Sequence, residues 1–153
     1  MKRNLLLQPE DIIPDLTADK KDDVLKELAL RAGERQPGLS AADVLKVLQD
    51  RERLGSTGIG DGIAIPHGKL KQAKDIICIF GRSVNGVVFN ALDGRKVHLF
   101  FLLLAPEDAV GIHLKMLARL SRLLKDPSIR AKLLHAPDAA AISTIIREQD
   151  SRF

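Results

Sequence analysis

The alternation of apolar and polar positions divides the chain into helices at both ends with strands between them. After Thr17, a residue suited to cap a helix, Val24, Leu25 and Leu28 recur at helical spacing up to Gly33. Ser40 and Asp43 form the pattern of a capping box. Val44, Leu45, Val47 and Leu48 then mark the inner face of a second helix, which runs out at Gly55. Beyond it the helical period is lost. Ile63-Ala64-Ile65 predicts a short buried strand, and Pro66 holds Ile65 extended. Ile76 to Phe80 predicts another strand. Val87-Val88-Phe89 and Val97 to Leu104 predict two more, joined through the turn dipeptide Asp93-Gly94. The Val97 to Leu104 run is apolar on both faces apart from His98, the pattern of a central strand. Helical spacing returns from Ala109 to Leu124. Asp126-Pro127 caps a helix that ends near His135, and Pro137-Asp138 starts the last, through Ile142, Ile145 and Ile146. Helix, helix, strands, helices is the order of an α/β sandwich whose mixed sheet is covered on both faces.

Composition narrows the classes of function. A chain of 153 residues with 45% hydrophobic content predicts one domain, residues 1–153, with a core of its own. The run from Val97 to Ala105 is interrupted by His98 and closed by Pro106, so it does not predict a membrane span. Lys2 and Arg3 precede Leu5-Leu6-Leu7, too short a stretch for a signal-peptide core. One cysteine, Cys78, allows no internal disulfide and agrees with a reducing compartment. These features predict a cytoplasmic protein with no direct membrane insertion. The net charge of +4 is modest, the basic residues are spread out, and Trp and Tyr are absent. Nucleic-acid binding needs concentrated basic surface and, for single strands, stacking platforms, so it is not the expected function.

The densest chemistry lies between Gly55 and Leu70. Gly58, Gly60 and Gly62 precede the apolar Ile63-Ala64-Ile65, and His67 stands between Pro66 and Gly68. The pattern predicts a glycine-rich loop, then a strand with His67 at its end, flanked by a residue without a side chain. Such an imidazole can be approached closely by something large, although a hydrogen-bonded loop histidine fits the same residues. Phosphoryl transfer asks for a nucleophile in line and positive charge around the phosphoryl oxygens. A histidine of ordinary pKa, about 6.5, is substantially neutral near pH 7 and can be that nucleophile. Other chemistries fail on spacing. Gly62 to Lys69 is no P-loop, because five residues separate Gly62 from Gly68 and Leu70 replaces the required Ser or Thr. His67 and His113 lack a third metal ligand at suitable spacing, and no Gly-x-Ser-x-Gly elbow occurs.

The run from Arg51-Glu-Arg-Leu through Gly55 and His67 to Lys69 resembles the active-site segment of the EIIA proteins of the bacterial phosphotransferase system. The resemblance is to the fructose/mannitol superfamily and closest to its nitrogen-regulatory branch, and it extends more weakly over almost the whole chain. Asp61 stands where asparagine is commoner in the family, and both suit a tight turn. The resemblance implies a three-layer α/β/α sandwich with a mixed central sheet, and a phosphoryl group carried on His67. It implies that Arg51, in the last turn of the second helix, stabilises the phosphohistidine; read alone, Arg51 is a solvated helix-end arginine. Arg53 faces elsewhere. His113 shares a helix face with Leu117, Leu120 and Leu124, so it points inward, and a half-buried, hydrogen-bonded histidine is the simpler reading. The family implies instead a second histidine beside the first, touching the phosphoryl group or orienting the reactive ring. Ser56 and Thr57 either donate to phosphate or cap the turn. His98 reads as a sheet residue, His135 as a helix-end residue and Cys78 as a buried strand residue. Lys115, Arg119 and Arg122 read as the solvated face of a helix, or as a docking stripe for an acidic partner.

The expected protein is therefore a phosphotransferase component, needing no metal or organic cofactor, that accepts phosphate from an HPr-like (NPr) donor in nitrogen-type regulation. Its alternatives are a sugar EIIA subunit passing phosphate to an EIIB, or a contact regulator of a transporter or sensor kinase switched at His67.

Overall fold

The computed structural model describes residues 7–150, and Lys2, Arg3, Leu5 and Leu6 lie outside them. A short 3-10 turn, Pro9–Asp11, leads into β1 (Ile12–Ile13), and then α1 (Lys21–Arg35) and α2 (Ala41–Arg53) follow. The strands are β2 (Gly58–Gly60), β3 (Ile63–Ala64), β4 (His67–Leu70), β5 (Ile77–Val87) and β6 (Val97–Pro106). Helices α3 (Val110–Leu124), α4 (Pro127–His135) and α5 (Ala139–Asp150) close the chain.

The sheet is mixed, in the order β1-β5-β6-β3-β2, and β4 also pairs with β6. β6 lies antiparallel to β5 and parallel to β3 and β4. Its apolar run is divided by the period of two. Phe100, Leu102 and Leu104 enter one core with Val24, Leu25, Leu28, Val44 and Leu48 of α1 and α2. Leu99, Phe101 and Leu103 enter the other, against Met116, Leu120, Ile129, Leu133, Ile142 and Ile146 of α3, α4 and α5. Helices thus cover both faces, and the three-layer α/β/α sandwich with a mixed central sheet is the observed architecture.

Several local expectations are corrected. Thr17 does not cap α1: the N-cap is Lys20, and Thr17 instead donates its backbone N–H and hydroxyl to the Glu27 carboxylate. Gly33 does not end α1 but lies inside it, where a Cβ would come within 3.3 Å of the Leu39 carbonyl oxygen, so the glycine serves the close return of the chain. The Gly58 to Gly62 stretch is a hairpin rather than a loop, with Asp61 (φ 57°) and Gly62 (φ 78°) at its turn. Val87-Val88-Phe89 is not a separate strand. β5 runs on to Val87 through an irregularity after Arg82, which the polar Arg82-Ser83 and Asn85-Gly86 hide from a hydrophobicity pattern.

Other details keep the expected chemistry. The Ser40 hydroxyl accepts from the Asp43 N–H, and the Asp126 carboxylate accepts from the Ser128 N–H. Gly94 (φ 73°) makes the turn that joins β5 to β6. Arg82, only 4% exposed, donates to the carbonyls of Pro14, Leu133 and Ala136 and so ties the sheet to the end of α4. Arg119 departs from the solvated face read for it: its Nε lies 2.6 Å from Oδ1 of the buried Asp150, which joins α3 to α5. Among the described residues no helix is long and apolar enough to cross a membrane.

Candidate functional site

β3 and β4 run one after the other along the same side of β6, with a break at Ile65-Pro66. Ile65 donates its N–H to the Thr57 carbonyl, and Leu103 donates to the Pro66 carbonyl, so the break is anchored on both sides. His67 opens β4, opposite Leu103, and is the first residue of a strand rather than the last. Its ring is half-buried.

Two hydrogen bonds define its protonation. Nδ1 lies 2.8 Å from the Ile65 carbonyl oxygen, which can only accept, so Nδ1 carries the proton. Nε2 lies 3.3 Å from Nε of Arg51, which can only donate, so Nε2 presents its lone pair. Burial is the main cause that lowers the His67 pKa below 6.5; the Ile65 hydrogen bond opposes it, and the Arg51 charge adds to it. The imidazole is therefore neutral at neutral pH, with its lone pair on Nε2.

Arg51 reaches this atom from the last turn of α2, and its Nη1 also donates to the Gly55 carbonyl at 2.8 Å. Gly68 determines how close α2 comes. A Cβ there would lie 2.3 Å from Cγ1 of Val47, so the missing side chain admits the helix that carries Arg51 and not, as its position suggested, an incoming molecule. Arg53 turns away and pairs with Asp50 at 2.6 Å.

His113 arrives from the first turn of α3. The ring centroids of His67 and His113 are 5.5 Å apart, edge to face at 62°. His113 is 4% exposed, and its Nε2 has no hydrogen-bond partner. Burial, with the neighbouring His67 and Lys69, lowers its pKa to about 4, so this ring is also neutral. A buried polar atom without a partner is costly and rare. Here it lies beside the His67 ring.

His67, Arg51 and His113 thus converge, whereas Ser56 and Thr57 do not share their geometry. The Ser56 hydroxyl donates to the Phe89 carbonyl at 2.7 Å and accepts from the Gly58 N–H at 3.0 Å. Thr57 is buried, and its hydroxyl is hydrogen-bonded to the Glu52 carboxylate. Both hydroxyls are engaged in holding the turn. His98 and His135 lie on β6 and at the end of α4, away from this cluster. Cys78 is half-buried on β5, and burial drives its thiol pKa far above the usual range, which leaves it inert.

Two residues at the site escaped the reading of the sequence. Lys69 follows His67 by two positions on β4, and that spacing is a usable signal for a shared strand face. Glu52 accepts from the Thr57 N–H and pairs with Lys21 Nζ at 3.0 Å, fixing the segment that carries the Gly55 carbonyl. Its partner Lys21 is distant in sequence, and no local pattern marks it.

The α/β/α fold thus presents a strand-borne neutral imidazole with a guanidinium at its lone pair and a second imidazole beside it. Comparison gives the family. The chain belongs to the EIIA 2 family of the phosphoenolpyruvate-dependent sugar phosphotransferase system, whose family model matches residues 5–149. It is 45% identical over 141 residues to a nitrogen regulatory protein of Bradyrhizobium diazoefficiens, covering 92% of each chain. It is 37% identical to the fructose-specific EIIABC component of Bacillus subtilis, covering 98% of this chain but 24% of that protein. Among solved structures, the nitrogen regulatory protein IIA-Ntr of Neisseria meningitidis superposes with a TM-score of 0.86 at 39% identity, over 92% of this chain and 96% of that one. Proteins of this family are phosphotransferase components, and membership supports a phosphocarrier role.

Proposed function

We propose that the chain accepts a phosphoryl group on Nε2 of His67 from the phosphohistidine of an HPr-like (NPr) donor, in nitrogen-type phosphotransferase regulation. The observation that carries the proposal is the pair of hydrogen bonds on His67, proton on Nδ1 and lone pair on Nε2 facing Arg51. In the transfer, the Nε2 lone pair attacks phosphorus in line, and the donor's nitrogen–phosphorus bond breaks with its electron pair returning to the donor ring. The proton stays on Nδ1, donated to the Ile65 carbonyl, and this hydrogen bond fixes the ring. Arg51 leaves Nε2 and turns its donors onto the phosphoryl oxygens. Neutral His113 supplies Nε2–H to the same group, which would satisfy the atom that lacks a partner in the free protein. The transfer needs no metal or organic cofactor, and the protein works in the cytoplasm as a single EIIA domain. A regulated transporter or sensor kinase would then read the phosphorylation state.

Identity to the fructose-specific component also supports a second reading, in which His67 hands its phosphate to a sugar-pathway EIIB.

The test is intact-protein mass after incubation with phosphoenolpyruvate, the first phosphotransferase enzyme and an HPr-like donor from the same cell. One acid-labile phosphate on the wild type and none on His67→Ala is expected. No gain from a demonstrably phosphorylated cognate donor would overturn the proposal. Onward transfer to a purified EIIB would select the sugar reading.

A further inference from the structure

Although basic residues are dispersed in the sequence, folding gathers several of them at the end of the sheet away from His67. A 320 Å³ cleft there is lined by Arg95, Lys96, His98 and Arg130, with Asp61 and Gly62 of the β2–β3 turn. A second cleft of 230 Å³ shares Asp61 with it and is lined by Ile59, Ile63 and Leu124 together with Ser121, Arg122 and Lys125. Along the sheet, Ile63 is level with Leu99 of β6 while His67 is level with Leu103, so the clefts do not belong to the His67 site.

The basic cleft is arranged for an anion. The Arg130 Nη1 donates to the carbonyls of Leu124 and Lys125, which holds the guanidinium in place with its other donors still available. His98 Nδ1 lies 2.9 Å from the Ser83 carbonyl and therefore carries a proton, so Nε2 is the open ring nitrogen. Gly62 and Gly86 flank that ring, and a Cβ on Gly86 would come within 3.0 Å of Nε2. The opposing acidic groups are few. Asp61 lines the cleft, and the exposed Asp93 accepts the backbone N–H groups of Asp61 and Arg95.

We propose that the paired clefts form a second binding site, for a small phosphomonoester with an apolar or aromatic body. The phosphate sits among Arg95, Lys96 and Arg130, since guanidinium and ammonium groups are the usual phosphate partners. The body lies against Ile59, Ile63 and Leu124. Together the clefts have the size and the mixed lining of a small-molecule site. Asp61, at their junction, opposes the anion.

The test uses the full ¹⁵N-labelled chain titrated with phenyl phosphate, inorganic phosphate and phenol. Phenyl phosphate should move the amide signals of Gly62, Lys96 and His98 together with those of Ile59 and Lys125. It should bind about tenfold more tightly than inorganic phosphate, because the apolar body adds buried surface. Arg95→Ala with Lys96→Ala should weaken it about tenfold, and Asp61→Asn should tighten it roughly threefold, through the local charge alone. Equal binding of phosphate and phenyl phosphate, shifts confined to the surroundings of His67, or indifference to these variants would overturn the proposal. A hexaglutamate peptide that moved the same signals at lower concentration would also overturn it, assigning the clefts to an acidic protein partner. Phosphoryl acceptance at His67 should be unchanged in both variants, so the two proposals stand or fall separately.

Discussion

At the scale of single residues, the proposed phosphoryl acceptance rests on which nitrogen of His67 is free. Arg51→Lys should slow phosphoryl acceptance by roughly 10²-fold, because an ammonium cannot reproduce the fork on phosphate and the loss of one preorganised donor has about that effect. Stopped-flow transfer from the phosphorylated donor would measure it. The pH dependence follows from protonation. His67 titrates below 6.5, so acceptance should hold as the pH falls to that value and then decline as Nε2 takes up a proton. His113 bears on stability as well. Its pKa falls from 6.5 to about 4 on folding, so the unfolded chain binds the extra proton first as the pH drops. The contribution is fully present above about pH 6.5 and is lost between there and pH 4, about 3 kcal/mol over that whole range. His113→Gln should therefore show a smaller drop in denaturation free energy between pH 7.5 and pH 4.5 than the wild type, by about 2 kcal/mol. An equal drop in both proteins would exclude His113 as its source.

Elements matter because they bring Arg51 and His113 to His67 from opposite faces of the sheet. The register of α2 against β4 depends on Gly68, where a Cβ would meet Val47 at 2.3 Å. Gly68→Ala should destabilise the protein by about 1–3 kcal/mol through overpacking. It should also slow phosphoryl acceptance, because the displaced helix carries Arg51. Adding Val47→Ala makes room for the new methyl group and should restore much of the transfer rate. Failure of the double variant to recover, with its fold intact by circular dichroism, would show that Gly68 serves the approach of the donor instead. The turn from Ser56 to Gly58 belongs to the same arrangement. The Ser56 hydroxyl holds the Phe89 carbonyl, the Thr57 hydroxyl holds the Glu52 carboxylate, and the Gly55 carbonyl just before them is the second anchor of Arg51.

For the whole molecule, three layers hold together through contacts that sequence distance conceals. The Arg119–Asp150 pair is a clear instance, because Asp150 is 3% exposed and closes α5 onto α3. Arg119→Ala should cost about 3 kcal/mol in urea denaturation, as a buried carboxylate loses an ionic partner. Lys115→Ala, an exposed change on the same helix, should cost less than about 0.5 kcal/mol. Equal effects would restore Arg119 to a solvated face.

Much of this protein follows from local rules. The period of two and the doubly apolar Val97 to Leu104 run identified the central strand, and helical spacing with caps at Ser40 and Asp126 located α2 and α4. Those features are legible because burial on a repeating face and an orphan N–H at a helix start constrain neighbouring residues directly. The unusual setting of His67, between Pro66 and Gly68, was equally open to inspection. Tertiary structure alone decided the partner at Nε2 of His67, the orphaned Nε2 of His113 and the reason for Gly68. Each of these depends on atoms brought from another element, Arg51 from α2, His113 from α3 and Val47 from α2. The same holds for Thr17, Arg119 and the basic cleft, whose partners lie on other segments. Periodicity records which side of an element is buried; it carries no information about what is packed against that side.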